Sequence, residues 1–134
     1  MLFRSEPDIA VITNIGTAHI GMLGSKKNIT HAKCEINKFL NPKGVVIIPA
    51  NDPFLEKTLK EFWKGRIIKV KLINIDNQKE NFKKDDNLRG FYNPSNKTIL
   101  IEKNIFEISS EGFHNASNFL FAYAVAKEIG RAHV

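Results

Sequence analysis

Cysteine occurs once in this 134-residue chain, at Cys34. One thiol cannot build an internal disulfide framework or a Cys-rich zinc site, which fits a reducing compartment and leaves Cys34 as a plain helix residue. No apolar run approaches the roughly 18 residues that a membrane-spanning helix needs. The opening Met1-Leu2-Phe3-Arg4-Ser5-Glu6-Pro7 lacks the charged and apolar regions of a secretory signal. The expectation is a cytoplasmic protein with no membrane partner. Internal repeats and low-complexity tracts are also missing, so no solenoid or disordered array is implied.

What is present is an ordinary globular composition, with 43% hydrophobic, 10% aromatic and 25% charged residues. That supports one core, so the chain is one compact domain or a piece of one. The net charge of +6 raises nucleic acid as a partner. The distribution argues against it: lysines are scattered from Lys26 to Lys127, and the densest stretch, Lys79 to Arg89, also carries Glu80, Asp85 and Asp86. The expectation is a monomer that binds no nucleic acid.

Ile9-Ala10-Val11-Ile12 is a short apolar run ending at Thr13-Asn14-Ile15-Gly16, which predicts a buried strand over Asp8 to Asn14 opening into a loop. Ile29, Ala32, Lys33, Ile36 and Leu40 recur at helical spacing, with Pro42 and Gly44 as the stop, predicting a helix from Lys27 to Leu40. A second strand follows over Gly44 to Ile48. Asp52-Pro53 reads as an N-cap with proline in the first helical position, ahead of a helix whose face is Phe54, Leu55, Leu59 and Phe62 and which ends near Gly65. Arg66 to Ile73 is a third strand. This alternation predicts an α/β fold with a mostly parallel sheet and flanking helices. Asp76 to Asn87 is polar and aperiodic, a solvated loop. Leu88 to Tyr92 and Thr98 to Glu102 flank Asn93-Pro94-Ser95-Asn96, the signature of a small antiparallel hairpin, and Phe106 to Ser109 suits a further strand. A last helix begins after Gly112-Phe113-His114-Asn115 and carries Phe119, Leu120, Tyr123, Ala124 and Ala126.

Two segments hold candidate chemistry. In the first, His19 follows the C-terminal end of a strand, where open α/β sheets bind ligands, and Lys33 shares the apolar face of the next helix. Lys33 is either a lysine whose stem covers the core while its ammonium reaches water, or a partly desolvated lysine available as a neutral amine. His19 taken alone reads as a capping or structural imidazole, since one histidine does not make a metal site. In the second segment, Gly112 to Asn118, a loop brings His114, Asn115 and Asn118 to the start of a helix. Carboxamides pair with the edge of adenine, while Asn115 would equally serve as an N-cap.

Taken together these residues resemble the central, ATP-binding domain of the Mur ligases, the amide-forming enzymes of peptidoglycan precursor synthesis. Pro7 to His19, Leu23-Gly24-Ser25, Ile29 and Ala32-Lys33-Cys34-Glu35-Ile36 look like the family's segment with a metal-binding histidine and a carbamylated lysine, and His19 and Lys33 have its spacing of fourteen. Gly112, His114, Asn115 and Asn118, ahead of Ala122, Ala124 and Ala126, resemble the block that borders the adenine. Within the family, Gly24-Ser25 and Ala32 to Ile36 look most like the members that add D-alanyl-D-alanine to UDP-N-acetylmuramoyl-tripeptide, although Gly21 departs from the acidic residue common two positions after the histidine.

The resemblance implies a parent enzyme that activates the tripeptide carboxylate with ATP to an acyl phosphate, which the amine of D-alanyl-D-alanine then attacks. It implies Mg²⁺ held by His19 and carbamylated Lys33 as the catalytic and metal residues, an adenine pocket shaped by His114, Asn115 and Asn118, and Asn14 and Ser25 nearby without an assigned role. The Gly-x-x-Gly-Lys-Thr loop that would hold the ATP phosphates does not occur in the sequence. Residues 1–130 are therefore expected to be a partial central domain, inactive alone. Residues 131–134, Arg131-Ala132-His133-Val134, resemble a translated sequencing adapter and are expected to be a non-native tail. A related folylpolyglutamate synthase-type ligase and a non-catalytic nucleotide-binding module are the competing readings.

Overall fold

The computed structural model describes residues 7–13, 26–76, 87–109 and 112–132. These fall into two compact units, Met1–Ile67 and Ile68–Val134.

In the first unit, strand β1 (Ile9–Val11) pairs in parallel with β2 (Val45–Pro49), setting Ile9 beside Val45, Ala10 beside Val46 and Val11 beside Ile47. Val45 to Ile48 are all buried, the unbroken apolar run of a strand covered on both faces. The strand expected over Asp8 to Asn14 is shorter, but Ile12 N–H still donates to Ile47 O at 3.0 Å. The turn into β2 presses on β1: Val45 N–H donates to Asp8 O at 3.0 Å and Asn41 N–H to Pro7 O at 2.9 Å. A Cβ on Gly44 would lie 2.5 Å from Asp8 O, so only glycine fits this approach.

The single helix expected over Lys27 to Leu40 is instead helix α1 (Lys26–Cys34) followed by a 3-10 segment, Glu35–Phe39. Buried Asn37 turns back to donate from Nδ2 to Cys34 O at 2.8 Å, and Leu40 N–H closes on Asn37 O at 3.1 Å, the tighter pattern of a 3-10 turn. The buried side of α1 is Ile29, Thr30 and Cys34, whereas Ala32, expected inside, is exposed. Helix α2 (Pro53–Phe62) begins as its sequence predicts: Asp52 Oδ1 accepts from Leu55 N–H at 3.0 Å, with Pro53 in the first turn. Leu55, Thr58 and Leu59 face inward, while Phe54 lies at the surface. The helix stops at Trp63, before the expected Gly65, because the indole Nε1 donates to Arg66 O at 2.9 Å and its ring occupies the space a side chain on Gly65 would need. Ile12, Ile29, Cys34, Leu40, Val46, Ile48, Leu55, Leu59 and Trp63 form one core cluster.

Strand β3 (Arg66–Asn74) starts at the end of the first unit and continues into the second, where it pairs in parallel with β4 (Leu88–Asn93). Antiparallel β5 (Thr98–Ile101) and β6 (Asn104–Glu107) follow, so the expected hairpin is present and its third strand lies two residues earlier than Phe106 to Ser109. Asn93 Oδ1 accepts from Ser95 N–H at 3.0 Å and Asn96 N–H at 3.3 Å, the Asx geometry that the turn sequence encodes. The expected loop from Asp76 to Asn87 falls mostly outside the described residues. Helix α3 (Phe113–Ala132) packs Ala116, Leu120, Phe121 and Ala124 inward, and Arg131 and Ala132 form its last turn. Gly90 of β4 makes room for Leu120, whose methyl carbons would lie 3.2 Å from any Cβ there. Ring contacts of Phe106 with Phe119 at 5.1 Å and with Tyr123 at 5.7 Å tie β6 to α3.

Candidate functional site

Lys33 lies on α1, half-buried at the margin of the face formed by Ile29, Thr30 and Cys34, and is engaged with a neighbour. Next to it, burial and the charge of Glu61 push the Cys34 thiol up to about 11, so that sulfur is chemically quiet. His19, Asn14 and Ser25 lie outside the described residues. Among the described residues no three His, Cys, Asp or Glu side chains converge to hold a metal ion.

The second group belongs to the other unit. His114 and Asn115 are not in a loop: α3 begins at Phe113, so both stand in its first turn with Asn118 one turn further on. Gly112 supplies the entry at φ 111°, a conformation open to glycine, and its carbonyl accepts from Ala116 N–H at 3.3 Å. Asn115 is therefore inside the helix and not its cap. His114 and Asn118 are exposed on the side away from buried Ala116 and Leu120, while Asn115 is half-buried and engaged with a neighbour. The start of α3 lies by Tyr92 near the C-terminal end of β4, since Phe113 and Tyr92 meet edge to face with centroids 6.3 Å apart. Two carboxamides and an imidazole at the carboxyl end of a parallel strand can donate to and accept from a planar heterocycle.

A second cluster escaped the sequence reading. Glu102, at φ 57° in the β5–β6 turn, accepts from Tyr123 Oη at 3.0 Å and from Lys127 Nζ on α3. The ammonium of Lys127, and then the Tyr123 hydroxyl, hold its carboxyl below the usual range. The spacing of Tyr123 and Lys127, one helical turn apart, was the available signal, but nothing in sequence places Glu102 opposite them.

Both segments fall within the match to the model of the Mur ligase middle domain, which covers residues 2–126. The chain belongs to this family. It is 33% identical over 126 residues to the UDP-N-acetylmuramoyl-tripeptide–D-alanyl-D-alanine ligase of Synechocystis, covering 94% of this chain and 25% of that protein. Against the enzyme of the same name from Bacillus subtilis it is 31% identical over 132 residues, covering 96% of this chain and 26% of the relative. This Mur ligase middle domain thus spans about a quarter of the length of the curated relatives it matches. Its fold matches the crystal structure of MurF ligase from Thermotoga maritima in complex with ADP with a TM-score of 0.63, and that of a murein peptide ligase from Psychrobacter arcticus with a TM-score of 0.68, at 22% identity and covering 94% of this chain and 25% of that one. The MurF comparison has 20% identity and covers 94% of this chain and 28% of that one. The α/β class expected from the strand and helix order is therefore correct.

Proposed function

We propose that this Mur ligase middle domain serves the nucleotide in an ATP-dependent ligase that joins D-alanyl-D-alanine to UDP-N-acetylmuramoyl-tripeptide. The observation that carries the reading is the similarity, over nearly the whole chain, to two relatives of that name. In the reaction the tripeptide carboxylate attacks the γ-phosphorus of ATP and ADP leaves. The amine of D-alanyl-D-alanine then attacks the acyl carbon of the acyl phosphate, expelling inorganic phosphate as the amine proton is lost. His114, Asn115 and Asn118 hold the adenine, contributing binding and orientation.

Lys33, as a carbamate, and His19 are the residues proposed to take part in holding Mg²⁺, which would offset phosphoryl charge when bound. Asn14 and Ser25 are proposed only as neighbours of that site. The described residues do not complete a metal shell, so the steps assigned to this chain are nucleotide binding and orientation. The reading further places the protein in the cytoplasm as a monomer without nucleic acid or membrane, in keeping with its scattered charge.

The test is phosphate release by the full-length enzyme supplied with ATP, UDP-N-acetylmuramoyl-tripeptide and D-alanyl-D-alanine. Release that requires all three supports the reading, and release that instead requires a different amino-acid acceptor overturns it. Residues 1–134 alone, lacking a phosphate loop, are expected to give no turnover above background.

A further inference from the structure

We propose that the face of the β4–β6 sheet turned away from α3 is where a neighbouring domain of the parent ligase docks, an inference that rests on family membership and not on the nucleotide assignment. The strand register divides the side chains into two sets. Gly90, Ile99 and Phe106 lie on the α3 side, where Leu120 reaches Gly90 and where Phe119 and Tyr123 meet Phe106. On the other face Ile73 stands beside Phe91, Phe91 beside Leu100 and Leu100 beside Ile105, one apolar row across β3, β4, β5 and β6. Ile75 joins it two residues beyond Ile73, with its N–H donating to Tyr92 O at 3.0 Å. Ile73 is buried and Phe91 half-buried, whereas Ile75 is 46%, Leu100 37% and Ile105 71% exposed. The open side of such a sheet is ordinarily polar. An apolar row there marks a surface that a partner covers.

The size of the row decides between occupants. Four strands at the usual spacing make it about 14 Å long, and it is one or two side chains wide. That is far below the roughly 800 Å² per partner that holds a free dimer together. A domain on the same chain needs much less, because the tether replaces bulk concentration with a high effective one. The chain matches a model of a middle domain and spans about a quarter of its relatives' length, so the rest of such a protein supplies the occupant. Lys71 stands opposite Arg89 on the same face, two residues before Ile73 and Phe91. This flank is basic, so the docking segment is assigned an apolar centre with an acidic residue on that side.

Thiol labelling of the full-length enzyme tests this, with modification read peptide by peptide in a mass spectrometer. Ile105→Cys probes the row, and Asn96→Cys, in the exposed turn between β4 and β5, is the reference. Both replace surface side chains, and buried Cys34 adds no fast background. Ile105→Cys should label at least about tenfold more slowly than Asn96→Cys, by a ratio that dilution does not change. Leu100→Cys should also label slowly, and adding Ile105→Lys should raise it to the reference rate, because a charge in the row undocks the neighbour. Equal rates for Ile105→Cys and Asn96→Cys would overturn the proposal. Slow labelling of Leu100→Cys that Ile105→Lys does not relieve would overturn it too, since cover from within this domain survives that change. Protection that disappears on dilution, with a halving of mass in light scattering, would overturn it in favour of a second copy.

Discussion

Gly44→Ala and Gly130→Ala are the same chemical change with opposite expected signs. At Gly44 the added methyl would lie 2.5 Å from the carbonyl oxygen of Asp8 and 2.9 Å from that of Asn41. Both are backbone atoms, so no side-chain rotation relieves the clash. Both also accept hydrogen bonds in place, from Val45 N–H at 3.0 Å and from Gly44 N–H at 2.7 Å. Relief requires β1 and the 41–44 turn to separate, which strains those bonds and the Asn41 Nδ2 to Asp8 Oδ1 bond at 3.1 Å. Overpacking of this kind costs about 1–3 kcal/mol, and weakening one or two hydrogen bonds adds roughly 1 kcal/mol each. The smaller entropy of the unfolded alanine chain returns about 0.4–1 kcal/mol. The net expectation is a loss of about 1–5 kcal/mol. At Gly130, near the end of α3, nothing lies within 4 Å of the added carbon, and the helix should gain up to about 1 kcal/mol. Urea unfolding of the 134-residue chain can be followed through Trp63, its one tryptophan, which belongs to the core cluster of the first unit. Helix circular dichroism reports on Gly130→Ala. A Gly44→Ala midpoint within about 0.5 kcal/mol of the parent would refute the reasoning, since it would mean that the close approach to β1 is not rigid.

Three further predictions concern charge and reactivity. Lys33→Ala and Lys33→Arg should both abolish activity of the full-length ligase, with a small carboxylate restoring part of it to the alanine variant alone; an active arginine variant with no carbamate signal in ¹³C NMR would assign Lys33 to core cover. The lowered Glu102 pKa means that its grip on Lys127 and Tyr123 stabilises the fold fully above the ordinary value of 4.5 and is lost as pH falls through the folded value. Glu102→Gln should accordingly flatten the acid limb of a stability–pH curve, and an NMR titration of Glu102 ending above 4.5 would contradict this. Cys34, buried and raised to about 11, should react with a thiol reagent at neutral pH only as fast as the fold opens, so its labelling rate should track denaturant concentration.

Where an element is governed by its own few residues, sequence and structure agree. Asp52-Pro53 caps α2 and Asn93 organises its turn, because each acts on backbone groups two or three positions away. The disagreements arise where distant packing decides. The change from α to 3-10 after Cys34 depends on Asn37 being drawn inside, and the exposure of Ala32 follows from Thr30 and Cys34 taking the buried side. The start of α3 was misplaced because Gly112, not Asn115, makes the entry, and a positive φ is not written in periodicity. Of the candidate site, the residue types around Gly112 to Asn118 were legible. The exposure of Phe113 was not, since it depends on how Tyr92 is packed.

Strand β6 closes one side of its sheet, paired only with β5 among the described residues. It is 4 residues long, and Ile105 at its centre is 71% exposed. Such a border invites recruitment of a foreign strand, the first step of edge-to-edge aggregation. Here the invitation is brief, and Lys103 and Glu107 stand at its two ends, so an incoming strand would have to strip water from both charges for very few new hydrogen bonds. The shortness of β6 thus acts as a safeguard on solubility, and lengthening it or neutralising those two residues would be a poor choice in preparing the protein at high concentration.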